Sequence, residues 1–117
     1  MRFSKSLKLN HVFRKLYHRG DSAVSKYLVI YTRPNHLQEN RIGVTVGKKL
    51  GKAVVRNRVR RRLREIYRIH EQQFRPGYDI VIVARSRAVD AEFQALQTAY
   101  LCAARKLGLL RGKDEQA

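Results

Sequence analysis

Gly47 to Arg68 reads GKKLGKAVVRNRVRRRLREIYR, with ten basic residues against the single carboxylate of Glu65 and the run Arg56-Asn57-Arg58 at its centre. An α-helix turns by roughly 100° per residue. On that wheel Arg56, Asn57, Arg60, Arg61, Arg64 and Arg68 fall within roughly a 140° arc, while Val59, Leu63, Ile66, Tyr67 and His70 gather on the other side. The spacing predicts a helix from about Ala53 to Gln72 that packs with one face and presents the other to a polyanion.

A charge run is most often a solvated face, and a solvated helix usually alternates signs so that i,i+4 pairs offset repulsion. Here seven arginines occupy the thirteen residues Arg56 to Arg68, and Glu65 can serve only Arg61, Arg62 or Arg68. The cations between Val55 and Glu65 are all Arg. A guanidinium fork matches phosphate oxygens in pairs and stacks on bases, so the pattern favours nucleic acid over an acidic protein or a membrane surface.

The rest of the chain agrees. At 117 residues it has room for one domain, here taken as 1–117, with 1–9 and 109–117 expected to be flexible. A formal charge of +17 makes the fold self-repelling and attractive to any phosphate polymer. Hydrophobic content of 44% in defined runs argues for a folded domain rather than a basic tail. The lone Cys102 excludes an internal disulfide and suggests a reducing compartment. MRFSKSLKLN has no apolar segment of signal-peptide length, and no window approaches a membrane span. The expectation is a cytoplasmic protein without a membrane partner or a small-molecule substrate.

Outward from the arginine helix, Asn10 can cap a short helix bearing Phe13, Leu16 and Tyr17 and stopping at Gly20. YLVIYT (Tyr27 to Thr32) and Ile42 to Val46 read as strands and suggest a hairpin with a long loop. Gly47 to Gly51 is a turn, and Pro76-Gly77 ends the connection after the helix. The unbroken run Ile80 to Val83 suits a central strand. Asp90 is placed to cap a last helix with a stripe of Phe93, Leu96, Tyr100, Ala103 and Leu107 that ends at Gly108. The order α-β-β-α-β-α predicts a two-layer α/β (α+β) sandwich on a mixed sheet.

GVTVGKK and GKKLGK resemble a phosphate-binding loop but lack its glycine spacing and the Ser or Thr after the lysine. His11, His18, His36 and His70 have no zinc-ligand spacing, and Cys102 reads as small core filler. No protein motif for a metal is expected. Asp79, Asp90 and Glu92 are the only carboxylates clustered enough to suggest a nuclease centre, and a strand and a helix cap account for the two aspartates. Phe13, Tyr17, Tyr27 and Tyr31 fit either a core or a base-stacking groove.

Assembled, GKKLGKAVVRNRVRRRLRE together with the FxxxY of Phe13 and Tyr17, the YLVIYT strand and the late YDIVIVAR strand resembles the bacterial ribonuclease P protein family. The resemblance implies a left-handed βαβ crossover, against the usual handedness, in a fold like the second domain of a small-subunit ribosomal protein. It implies that a catalytic RNA removes the 5′ leader of precursor tRNA while the protein binds both RNAs, with no catalytic residue of its own. Mg²⁺ would be held mainly by RNA. Lys48, Lys49, Lys52, Arg56, Asn57, Arg58, Arg60, Arg61, Arg64 and Arg68 would meet the catalytic RNA, and Phe13, Tyr17 and Tyr31 the leader. Arg62 departs from an apolar position in many relatives. A ribosomal protein or a general RNA chaperone is the alternative, and it leaves the pairing of groove and basic helix unexplained.

Overall fold

Tyr78–Ala84, which contains the run Ile80-Val81-Ile82-Val83, forms the middle strand of a five-stranded mixed sheet. The computed structural model describes residues 4–6 and 20–111. In chain order its elements are β1 (Ser4–Ser6), β2 (Asp21–Val24), β3 (Leu28–Pro34), β4 (Asn40–Thr45), α1 (Ala53–His70), β5 (Tyr78–Ala84) and α2 (Phe93–Lys106). The sheet order is β1-β4-β5-β3-β2. β5 runs parallel to β4, with Thr45 opposite Val83, and antiparallel to β3, with Leu28 opposite Ala84. β4, α1 and β5 thus form a βαβ unit, and α1 and α2 cover one face of the sheet as the two-layer reading expects.

Alternation along the strands sorts the faces. Leu28, Ile30, Ile42, Ile80, Ile82 and Ala84 point to the helices and are buried with Val59, Leu63, Ile66 and Tyr67 of α1 and Leu96, Tyr100, Ala103 and Ala104 of α2. Each fully buried aliphatic side chain contributes about 1.5–3 kcal/mol. Phe74 joins the two helices through rings, 4.9 Å from Tyr67 and 6.3 Å from Tyr100. The apolar side predicted for the arginine helix is therefore the one that packs.

Several expectations are corrected. β3 and β4 do not form a hairpin, because β5 inserts between them; the hairpin partner of β3 is the short strand β2. Ser4–Ser6, inside a stretch expected to be flexible, adds a parallel edge strand on β4. Asp90 does not cap α2, whose N-terminal flanking residue is Glu92 without a side-chain capping bond. Cys102 is exposed rather than core, since it lies well off the Leu96–Tyr100–Ala103 stripe on the helix wheel. Residues 109–111 are pinned rather than frayed. Gly108 at φ 72 ends α2, the Leu109 N–H reaches the Ala104 carbonyl at 3.0 Å, and Leu109 is buried. Arg75 N–H to the Leu109 carbonyl and Arg111 N–H to the Gln73 carbonyl, both 2.7 Å, then fasten the segment beside Phe74. The helix predicted from Asn10, with Phe13 and Tyr17, lies outside the described residues.

Candidate nucleic-acid interface

The lysine turn and α1 are joined by a backbone conformation that only glycine adopts readily. Lys48–Leu50 forms a single 3-10 turn closed by Leu50 N–H to the Gly47 carbonyl at 3.1 Å. Gly51 follows at φ 142, ψ −170, in a region of the backbone map that is essentially glycine's alone. A Cβ there would stand 3.2 Å from both Cβ and Cγ1 of Val55. The Gly51 carbonyl then accepts from Arg56 Nε at 3.1 Å. Lys48, Lys49 and Lys52 are thereby held exposed at the positive end of the α1 dipole, whose first turn carries no acidic residue.

Along α1 the exposed polar side chains are Asn57, Arg58, Arg61, Arg64 and Arg68. Arg56 and Arg60, predicted within the polar arc, are half-buried at its margin, and Arg60 donates to Asn57 Oδ1 at 2.8 Å. Arg68 forms a two-pronged ion pair with Glu65, Nε to Oε2 at 2.9 Å and Nη2 to Oε1. Hydrogen bonding to Arg68 lowers the Glu65 carboxyl below its usual range and raises the guanidinium. The single carboxylate of the stretch thus offsets one arginine at the far end. Arg61, Arg64 and the three lysines carry no hydrogen bond or ion pair to another side chain among the described residues. Such like charges are left for an external anion.

Arg58 and Arg62 do something else. They lie on the flank toward α2, where Arg62 Nη1 donates to the Ala91 carbonyl at 2.9 Å and Arg58 Nη2 reaches the Val89 carbonyl at 3.4 Å. Arg62 is half-buried and acts as a strap between α1 and the segment leading into α2.

The opposite sheet face carries Tyr31. It is half-buried on β3, opposite Val81 of β5 and Ser22 of β2, and does not belong to the core between sheet and helices. Tyr27, by contrast, packs against that core. At one end of this face Asp79, 1% exposed, accepts Arg41 Nε at 2.6 Å and Nη2 at 2.7 Å, with Asn35 Nδ2 at 3.1 Å on the same carboxylate. Asp79 also lends its carbonyl to Thr32 Oγ1 at 2.9 Å. It lies near the start of β5, whereas Asp90 and Glu92 lie beyond the end of that strand, so the three carboxylates do not converge. Of the predicted leader-contacting rings, Phe13 and Tyr17 fall outside the described residues. Only Tyr31 can be placed.

Sequence reading missed three cations at the end of the sheet, Lys26, Arg85 and Arg87. Lys26 stands alone in its turn and Arg85 and Arg87 flank a single serine, too few to form a run, so only the topology brings Lys26 to the two arginines.

The comparisons with known proteins point one way. The family model for Ribonuclease P matches residues 1–108. The ribonuclease P protein component of Alkaliphilus oremlandii is 41% identical over 110 residues, covering 94% of this chain and 96% of that protein. That of Clostridioides difficile is 48% identical over 92 residues, 78% and 81% of the two chains. Among solved structures, the Staphylococcus aureus RNase P protein superposes with a TM-score of 0.83 at 30% identity over 91% of this chain and 97% of that one. The Thermotoga maritima RNase P protein gives 0.78 at 28% over 92% and 99%. The match in sequence and in fold runs over nearly the whole length, and the chain belongs to the ribonuclease P protein family, as a protein component of that tRNA-processing endoribonuclease.

Proposed function

We propose that this subunit binds the catalytic RNA of ribonuclease P through α1 and the lysine turn, and the 5′ leader of precursor tRNA on the sheet face that carries Tyr31. The RNA subunit performs the cleavage in this reading, with its Mg²⁺ held mainly by RNA, and the protein works in the cytoplasm, where precursor tRNA is made. Arg61 and Arg64 carry the proposal: they are exposed, like-charged and without a side-chain partner among the described residues, on a helix whose other face is packed. Arginines in that state gain by replacing condensed counterions on a phosphate backbone. A structured RNA can be held this way through shape and backbone, without base readout.

The leader side rests on Tyr31 and on the resemblance of Phe13 and Tyr17 to the family's groove positions. Stacking on an aromatic ring tolerates any base, which suits leaders of differing sequence. The test is the salt dependence of binding to the catalytic RNA. Losing two phosphate contacts in R61A/R64A should flatten the log–log slope by about 1.8, with thermal unfolding unchanged. An unaltered slope in a folded variant removes α1 from the interface.

A further inference from the structure

We infer that Lys26, Ser86 and Arg87 form a second phosphate-binding seat, which takes the backbone of the same structured RNA that α1 holds. The inference rests on the proposed function and extends its footprint across the end of the sheet.

The topology supplies the juxtaposition. Thr45 pairs with Val83 and Leu28 pairs with Ala84, so three turns emerge at one end of the sheet: the β2–β3 turn with Lys26, the lysine turn after β4, and Arg85–Ala88 after β5. The N-terminus of α1 begins at the same end, and Arg58 reaches across to Val89. A hollow of about 260 Å³ lies between two of these turns, lined by Lys26, Arg85, Ser86 and Arg87. Three cations and a hydroxyl line it, and no carboxylate does.

The walls of the hollow are fixed. Arg85 Nη1 donates to the Ser25 carbonyl at 2.7 Å, and its backbone N–H to the Tyr27 carbonyl at 2.8 Å. The Ser25 hydroxyl donates to the Leu28 carbonyl at 2.9 Å and accepts the Leu28 N–H at 3.1 Å, which sets the β2–β3 turn. Lys26 Nζ lies 5.5 Å from the centre of the Tyr27 ring. Arg87 is exposed and makes no ion pair among the described residues, although Asp90 and Glu92 line an adjoining hollow of about 530 Å³ with it. A guanidinium that leaves two nearby carboxylates unused is available to an external anion. Those carboxylates also confine a polyanion to the smaller, purely donor-lined seat.

The side of the sheet decides the occupant. The adjoining hollow is walled by Ala91, Glu92 and Ala95 at the start of α2, so the seat opens toward the helix layer. Tyr31 lies on the opposite face. A backbone running along α1 and past the lysine turn reaches Arg87 and Lys26 without crossing the sheet.

The test measures salt dependence of binding for K26A/R87A, R61A/R64A and the four-fold variant, against the catalytic RNA and against precursor and mature tRNA. Arg85 is left intact because its guanidinium holds the turn. The seat should contribute two phosphate contacts, so K26A/R87A should flatten the slope on the catalytic RNA by about 1.8, and a fourfold rise in salt should weaken its binding about 12-fold less than wild type. The four-fold variant should show both losses summed. An unchanged slope for K26A/R87A while R61A/R64A lowers it overturns the seat and spares the function. A change confined to leader-bearing precursor overturns the named occupant. If neither pair alters the slope, the RNA reading of α1 fails and the seat fails with it.

Discussion

Replacing Gly51 by Ala probes the joint between the lysine turn and α1, and the structure sets the size of the effect. The position sits at φ 142, ψ −170, and a non-glycine residue in such a region costs about 1–3 kcal/mol. The new methyl would lie 3.2 Å from Val55 Cβ and Cγ1, and Val55 cannot swing away because its β-branched side chain is stiff in a helix. The conformational and steric penalties act together, so the loss should reach about 2–3 kcal/mol if the turn keeps its shape. Relaxation would lower that figure only by moving the Gly51 carbonyl from Arg56 Nε, and with it Lys48 and Lys49. Urea unfolding followed by circular dichroism gives the stability, and binding to the catalytic RNA at fixed salt gives the placement of the lysines. Pairing the substitution with V55A separates the terms, since it removes the Cγ1 contact but leaves Cβ; the double variant should recover only a minor part of the loss. G51A with wild-type stability and wild-type affinity would refute the reasoning.

Other substitutions address single contacts. Y31A should weaken leader-bearing precursor by about 1–3 kcal/mol, the value of one lost stack, and leave mature tRNA nearly unaffected; equal losses for both would return Tyr31 to a structural role. R62M keeps the packing volume but removes the bond to Ala91, so unfolding should show a loss of about 0.5–1.5 kcal/mol while the salt slope of RNA binding stays at the wild-type value. Tyr100 is buried with no hydrogen-bond partner for its hydroxyl among the described residues, and burial raises its pKa well above the usual tyrosine value. Its neutral form is favoured in the fold, so the stability it contributes is complete below the unfolded pKa of about 10 and declines above it as the unfolded chain ionises. Y100F should therefore be neutral or stabilising at pH 7, and its stability should fall less steeply than wild type in alkaline urea titrations.

How far the sequence could be read depended on whether the signal was local. α1 was legible because Val59, Leu63, Ile66 and Tyr67 repeat at helical spacing against an arginine face, and all four are buried. β5 was legible as a centre because its apolar run has no polar side to expose. The strand neighbours were not, because β3 and β4 are adjacent in sequence while the βαβ connection places β5 between them. β2 escaped notice since Asp21–Val24 is short and mostly exposed, with only Ala23 buried. At the interface, helical spacing placed Arg61 and Arg64 on the polar arc and Arg58 and Arg62 off it, but could not show that the latter two reach the Val89 and Ala91 carbonyls. Lys26 and Arg87 gave no run at all. Long-range contacts decide such roles, and no window of sequence contains them.

The central claim is that this chain serves a catalytic RNA rather than cutting RNA itself. Cleavage of a precursor tRNA by a ribonuclease P RNA at low Mg²⁺, with and without the purified protein, tests it directly. The account predicts that RNA alone is nearly inactive there, that added protein restores release of the 5′ leader, and that protein without RNA cuts at no Mg²⁺ concentration. Cleavage by protein that has been nuclease-treated and repurified, or no stimulation of the RNA by folded protein, would contradict it.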